Sequence, residues 1–255
     1  MVSYNPCVTA RTPAPSPAVA GVIFDLGGTL IYPTSDELEC AAHLEGWLRA
    51  HGWPEDVGQA VLESRRWLWE SSRKTGRQYT MDTAIRRMAE RCGRPAPDPA
   101  FIAEAERVFF EPELNGLRVY PDALRLLRRL QAARVRLACI SNASSHWLIE
   151  QILARMGLAR YFDPAISSAG FGRVKPDPAI FRAALARWAI APGLTVMVGD
   201  TPSADVNGAR AVGMRTIYAA LEPNPYNTAH RQTGADAEAR SLGEVERILF
   251  RWLGA

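Results

Sequence analysis

Apolar residues along this chain fall into two rhythms, short unbroken runs and runs spaced three or four apart. The first kind marks buried strands and the second amphipathic helices. Two of the unbroken runs, AVAGVIF and LTVMVG, each stop at an aspartate, Asp25 and Asp200. The first predicts a strand over about 19–25. From 36 to 118 the text reads as helix after helix with no good strand. DELECAAHLEGWLRAHG has Ser35 or Asp36 as N-cap and sets Leu38, Ala41, Ala42, Leu44, Trp47 and Leu48 near one face. EDVGQAVLESRRWLWESSRK follows Pro54, TMDTAIRRMAERCG runs from a capping Thr80 to a stop at Gly93, and DPAFIAEAERVFFEP is the fourth. The aromatics Trp47, Trp67, Trp69, Phe109 and Phe110 read as this block's own core rather than as a ligand cage.

From about 119 the two rhythms alternate. PDALRLLRRLQAAR, SSHWLIEQILARMG, PAIFRAALARWAI, PSADVNGARAVG and SLGEVERILFRWLG predict helices; VRLACIS, AISS, LTVMVGD and MRTIYAA predict strands. Alternation of this kind implies an α/β fold, a Rossmann-like doubly wound parallel sheet with helices on both faces. The expected organisation is a core of 19–35 and 119–255, an inserted all-helical domain of 36–118, and a disordered proline-rich tail of 1–18 containing TPAPSPA. Hinges for the insert are expected near 31–36 and 114–120, where Pro33, Gly116 and Pro121 interrupt the helical text.

Composition narrows the function classes. The chain has 255 residues, 47% hydrophobic, with a formal charge of +3. That balance, without a basic stripe interleaved with aromatics, argues against a nucleic-acid partner. No apolar stretch has the length of a membrane span, and the N-terminus lacks a secretory pattern. Cys7, Cys40, Cys92 and Cys139 match no zinc or CxxC spacing. Free thiols in a reducing, cytoplasmic setting are expected.

In doubly wound sheets ligands bind beyond the carboxyl ends of the strands, so Asp25, Ser141 and Asp200 are expected at one edge although far apart in sequence. Asp205 lies five residues after Asp200 in GDTPSAD. Carboxylates gathered closely resist ionisation unless a cation compensates them. Lys175, one of only two lysines, lies in the loop-like GRVKPDP. Asp25 is followed by Gly27, Gly28 and Thr29, which permit a sharp turn and close amide approach to an oxyanion. Each residue also has a plainer reading. Asp25 can cap a turn, Asp200 can cap the following helix, Ser141 and Asn142 can cap SSHWLIE, and Lys175 can be solvated.

Together and in this order, FDLGGTL, ISN, the lysine of VKPDPAIF, and GDTPSAD resemble the four motifs of the haloacid dehalogenase superfamily. The resemblance covers roughly 20–220, with connecting text similar to the phosphatase-type branch, and the helical insert is like that branch's cap domain. It implies a phosphatase acting on a small phosphorylated substrate through an aspartyl-phosphate on Asp25. It implies Mg2+ held by Asp25, the backbone carbonyl of Gly27 and Asp200, with Asp205 as outer support. Gly28, Thr29, Ser141, Asn142 and Lys175 are implied to bind the phosphoryl group.

One position departs from that pattern. Phosphatases of the family usually carry a second aspartate two residues after the nucleophile, to protonate the leaving group; here Gly27 stands there. Activity is therefore expected to be low, or to favour activated phosphates, unless Asp36, Glu37, Glu39 or His43 supplies the acid. The alternatives are a binding scaffold that kept the fold, a haloacid dehalogenase, and a phosphonate hydrolase using Lys74. A turn-rich segment with Asn224, Tyr226 and His230 reads as a surface loop near the catalytic edge.

Overall fold

The computed structural model describes residues 19–222 and 233–254. The expected tail, and the loop residues Asn224, Tyr226 and His230, lie outside the described residues.

Six parallel strands form the centre: β1 (Gly21–Phe24), β4 (Arg136–Ser141), β5 (Ala165–Ser167), β6 (Thr195–Gly199), β7 (Arg215–Ala219) and β8 (Ala237–Ala239). A separate antiparallel pair, β2 (Ile31–Tyr32) and β3 (Arg118–Val119), joins the two crossings into the helical insert. The sheet order is β5-β4-β1-β6-β7-β8. After β1 the chain builds outward on one side through β4 and β5. It then returns to the other side of β1 for β6, β7 and β8. The order thus reverses at β1, where ligands settle in sheets of this kind.

Strands buried on both faces need apolar residues at every position, and all of β1 and β6 is buried. Val22 and Phe24 face the larger core, shared with α5 (Ala123–Ala132), α6 (His146–Arg155) and α10 (Leu242–Leu253). Ile23 faces a smaller core under α8 (Pro178–Trp188) and α9 (Asn207–Ala211). A four-residue helix, α7 (Ser168–Phe171), follows β5 directly.

The insert consists of α1 (Glu37–Ala50), α2 (Val57–Thr75), α3 (Met81–Arg91) and α4 (Pro99–Gly116). Asp36 is the cap of α1, accepting from the Glu39 N–H at 2.9 Å. Thr80 precedes α3 but makes no side-chain cap bond. Phe109 and Phe110 are buried, and Trp47 and Trp67 pack against Phe101 and Tyr79 with ring centroids 5.1 Å apart, as a helical core requires. Where the chain enters and leaves the insert, the Thr34 N–H donates to Gly116 O at 3.0 Å, so both crossings run side by side.

Several elements differ from the sequence reading. β8 lies in text read as loop. The pair β2 and β3 is too short to leave a periodic signal. The stretch read as one helix from Pro202 is a wide π-type turn, Pro202–Val206, followed by α9.

Candidate active site

Parallel register brings the strand ends together. Phe24 lies opposite Cys139 on one side and Val198 on the other, so Asp25 emerges beside Ile140–Ser141 and Gly199–Asp200. The Asp25 N–H continues the ladder to Val198 O at 2.9 Å, fixing the backbone from which the carboxylate projects.

Lys175 occupies the middle of the cluster. Its Nζ lies 2.5 Å from Asp25 Oδ1 and 2.6 Å from Asp205 Oδ1, and donates to Ile140 O at 2.8 Å. The contacts to Asp25 and Ile140 are hydrogen bonds, and the contact to Asp205 is an ion pair. Asp25, Asp200 and Asp205 each present an oxygen within 4.8 Å of the others. Burial pushes the Asp25 carboxyl up to about 6; Lys175 opposes the rise and Asp200 adds to it. Asp205 is likewise raised to about 6 by burial, against the pull of Lys175 and with a push from Asp25. Burial works to lower the Lys175 ammonium, but Asp205 and Asp25 outweigh it and hold its pKa above the usual lysine value.

Asp205 reaches the site because of two local features. The π-type turn carries it back under β6; such turns are frequent at functional sites. There the Thr201 N–H donates to its Oδ2 at 2.9 Å. Gly199 supplies the space: a Cβ at that position would stand 2.4 Å from the Asp205 Cγ. With one oxygen on Lys175 and the other on Thr201, Asp205 is an anchor rather than a free ligand. Asp200 accepts from the Thr201 hydroxyl at 3.2 Å.

Asn142 sits where the sequence placed it but its side chain is otherwise engaged. Its Oδ1 accepts from the Lys175 N–H at 2.8 Å and its Nδ2 donates to Lys175 O at 3.0 Å. It clamps the lysine's backbone. The amides expected to meet a phosphate are used inside the turn after β1: Gly28 N–H donates to Ile31 O at 2.8 Å and Thr29 N–H to Leu26 O at 3.3 Å. Gly28 has a φ of 73°, a conformation that glycine adopts without strain. Ser141 is buried at the end of β4, beside Ser167 of β5. Gly27 is not in a positive-φ conformation, and a Cβ built there would meet nothing within 4 Å.

The substitute acids fare poorly. Asp36, Glu37, Glu39 and His43 are all exposed. Asp36 is engaged as a helix cap, Glu37 pairs with Arg65 at 3.0 Å, and His43 pairs with Glu111 at 3.0 Å. Lys74 is exposed near the end of α2. Sequence reasoning passed over Gly199, Thr201, and the cap residues that touch the loops after β4 and β5. A glycine before Asp200 was a visible signal for close approach; the others carry none.

The donor set suits a divalent cation. Three carboxylates face one ammonium, so two negative charges remain when all are ionised. An all-oxygen cluster of that charge fits a hard ion such as Mg2+.

A family model described as haloacid dehalogenase-like hydrolase matches residues 19–213. A phosphoserine phosphatase of Thermus thermophilus is 31% identical over 65% of this chain and 66% of that one. A ribulose-1,5-bisphosphate 5-phosphatase of Halopiger xanaduensis is 30% identical over 89% and 98%. A solved structure described as a 2-haloacid dehalogenase, from Pseudomonas syringae pv. tomato, superposes with a TM-score of 0.67 at 28% identity, covering 92% and 99%. With the family's four motifs at four neighbouring strand ends and loops, and an α-helical cap inserted after the first, the chain belongs to the haloacid dehalogenase-like hydrolases.

Proposed function

We propose that the protein is a Mg2+-dependent phosphatase for a small phosphorylated metabolite, with Asp25 as nucleophile. The observation that carries this reading is the buried contact of Asp25 with Lys175 inside a three-carboxylate cluster. An ammonium beside the nucleophile keeps it ionised and offers positive charge to the oxygens of a transferring phosphoryl group. Asp25 Oδ forms a bond to phosphorus as the bond to the leaving oxygen breaks, giving an aspartyl-phosphate. Water then attacks phosphorus and returns Asp25 and inorganic phosphate. Lys175 and Ser141 hold the phosphoryl oxygens, while Asn142, Gly28 and Thr29 shape the loops that present them. Asp25, Asp200 and the carbonyl of Gly27 would hold Mg2+, which supplies charge neutralisation for the phosphate.

Gly27 sets the substrate preference. With no side chain there, an alkoxide leaving group lacks its proton donor, a contribution of about 10²–10⁴-fold in rate. Acyl and aryl phosphates leave as weaker bases and lose less. The phosphatase names of the two relatives support phosphoryl transfer. The dehalogenase name of the structural neighbour favours a second reading, since halide leaves unprotonated and needs no acid. The uncompensated negative charge at Asp25, Asp200 and Asp205 favours the metal-dependent reaction over it.

The test is release of phosphate from an aryl phosphate with and without Mg2+. The proposal expects turnover only with the ion, and none in Asp25→Asn. Metal-independent halide release from a 2-haloacid, without phosphate release, would replace it with the second reading. Mg2+-dependent phosphate binding without turnover would leave a scaffold.

A further inference from the structure

The cap touches the catalytic loops at more places than its two covalent crossings. Between α2 and α3, the segment 76–81 lies along the loops that follow β4 and β5. Gln78 N–H donates to Gly172 O at 3.0 Å, Val174 N–H to Gly76 O at 3.1 Å, and Met81 N–H to Ser144 O at 2.9 Å. Arg65 of α2 donates to the Ser144 hydroxyl at 2.7 Å. These bonds seat the segment without help from the Gln78 side chain.

That side chain is nonetheless buried, at 5% exposure. A buried amide is costly without hydrogen bonds. Its Nε2 donates to Tyr79 O, and its Oε1 accepts from the Ser168 hydroxyl at 2.6 Å. Ser168 has a second acceptor within reach, Ala143 O at 3.1 Å. A hydroxyl has one proton, and the shorter contact is to Gln78. With the proton committed there, the lone pairs of Ser168 Oγ accept the Ala143 N–H at 2.9 Å. The preceding residue, Asn142, clamps both backbone groups of Lys175, whose Nζ meets Asp25.

We propose that Gln78 of the cap is a positioning residue for Lys175, acting through the Ser168 hydroxyl and the Asn142–Ala143 turn. Its kinetic consequence rests on the phosphatase reading above. Gln78 fixes the direction of the Ser168 proton and so the acceptor for Ala143. The turn that clamps Lys175 is then complete only when the cap segment is in place. Displacing a catalytic group by a fraction of its contact distance costs up to about 10²-fold in rate.

The test compares the full chain with Gln78→Met, Ser168→Ala and the double variant. Methionine keeps the length of glutamine and removes the acceptor. Amide hydrogen exchange is read by mass spectrometry in peptides spanning 141–145 and 173–177, and kcat and KM on an aryl phosphate with Mg2+. The proposal expects exchange in both peptides to quicken about tenfold in Gln78→Met, the size of one lost buried hydrogen bond. It expects kcat to fall about tenfold or more with KM within about twofold, the mark of a loss confined to the reacting centre. The double variant should match the more impaired single variant, because both residues act in one chain of contacts. Additive losses in the double variant would overturn the proposal, as would wild-type exchange in Gln78→Met. Faster exchange with unchanged kcat would reduce Gln78 to a fold contact and overturn it too. If Gln78→Met does not fold, Ser168→Ala severs the same link from the core side and is read in the same way. A wild-type protein without turnover would end the phosphatase reading, and the exchange of the Lys175 peptide alone would then decide whether Gln78 holds that loop.

Discussion

Lys175 Nζ stands 2.5 Å from Asp25 Oδ1, with the two side chains 2% and 10% exposed. A pair so buried is expensive to break from one side, because the abandoned charge has no solvent to turn to. Lys175→Met should destabilise the metal-free protein by about 3 kcal/mol, measured by urea unfolding at neutral pH. Activity should be lost as well. Lys175→Arg should not restore it, since a planar guanidinium cannot occupy the place of a compact ammonium between two buried carboxylates.

Gly199 and Asp205 form the second relationship that the site cannot spare. A Cβ at 199 would stand 2.4 Å from the Asp205 Cγ, so Gly199→Ala must displace the carboxylate that anchors Lys175. The expected cost is about 1–3 kcal/mol in stability and about 10²-fold in kcat/KM. Steady-state kinetics and thermal melts of the one variant check both. A variant with wild-type kinetics would show that Asp205 does not govern the lysine.

Gly27 offers the opposite case, a position with room. Nothing lies within 4 Å of a Cβ there. Gly27→Asp should therefore fold normally and raise hydrolysis of alkyl phosphates by about 10²-fold or more, the scale of general acid catalysis. Mg2+ affinity should change little, because the expected metal contact at this position is a backbone carbonyl. The ratio of alkyl to aryl phosphate turnover is the informative number.

Within the cap, Glu113 gives a pH signature. Burial raises its carboxyl to about 7; Arg65 opposes the rise and Glu37 adds to it. A carboxyl raised in the folded state binds a proton that the unfolded chain has released, from about pH 4.5 up to about 7. Its contribution to stability is therefore present below that window and lost as the pH rises through 7. Urea unfolding across pH 5 to 8 should show a decline in the wild-type protein and a flatter profile in Glu113→Gln. Parallel profiles would refute the assignment.

The alternation of strands and helices, the helical insert and the gathering of Asp25, Lys175, Asp200 and Asp205 were readable in the chain. Buried parallel strands and amphipathic helices leave strong periodic signals, and a polar residue closing an apolar run marks a strand end. What escaped depends on contacts between distant segments. β2 and β3 have two residues each, too few for any period. β8 reads AEA and owes its state to pairing with β7. Asn142 looked like a phosphate ligand because its neighbour Ser141 closes a strand; its partner, the Lys175 backbone, is 33 residues away. Gln78 and Ser168 meet across 90 residues, and neither residue type advertises the meeting.

The central claim is that Asp25 carries the phosphoryl group. The direct measurement is rapid acid quenching of the protein during turnover of an aryl phosphate with Mg2+, followed by peptide mass spectrometry. The account predicts a phosphoryl adduct on the peptide containing Asp25, absent without Mg2+ and absent in Asp25→Asn. Sustained phosphate release with no adduct on that peptide, or release undiminished in Asp25→Asn, would contradict it.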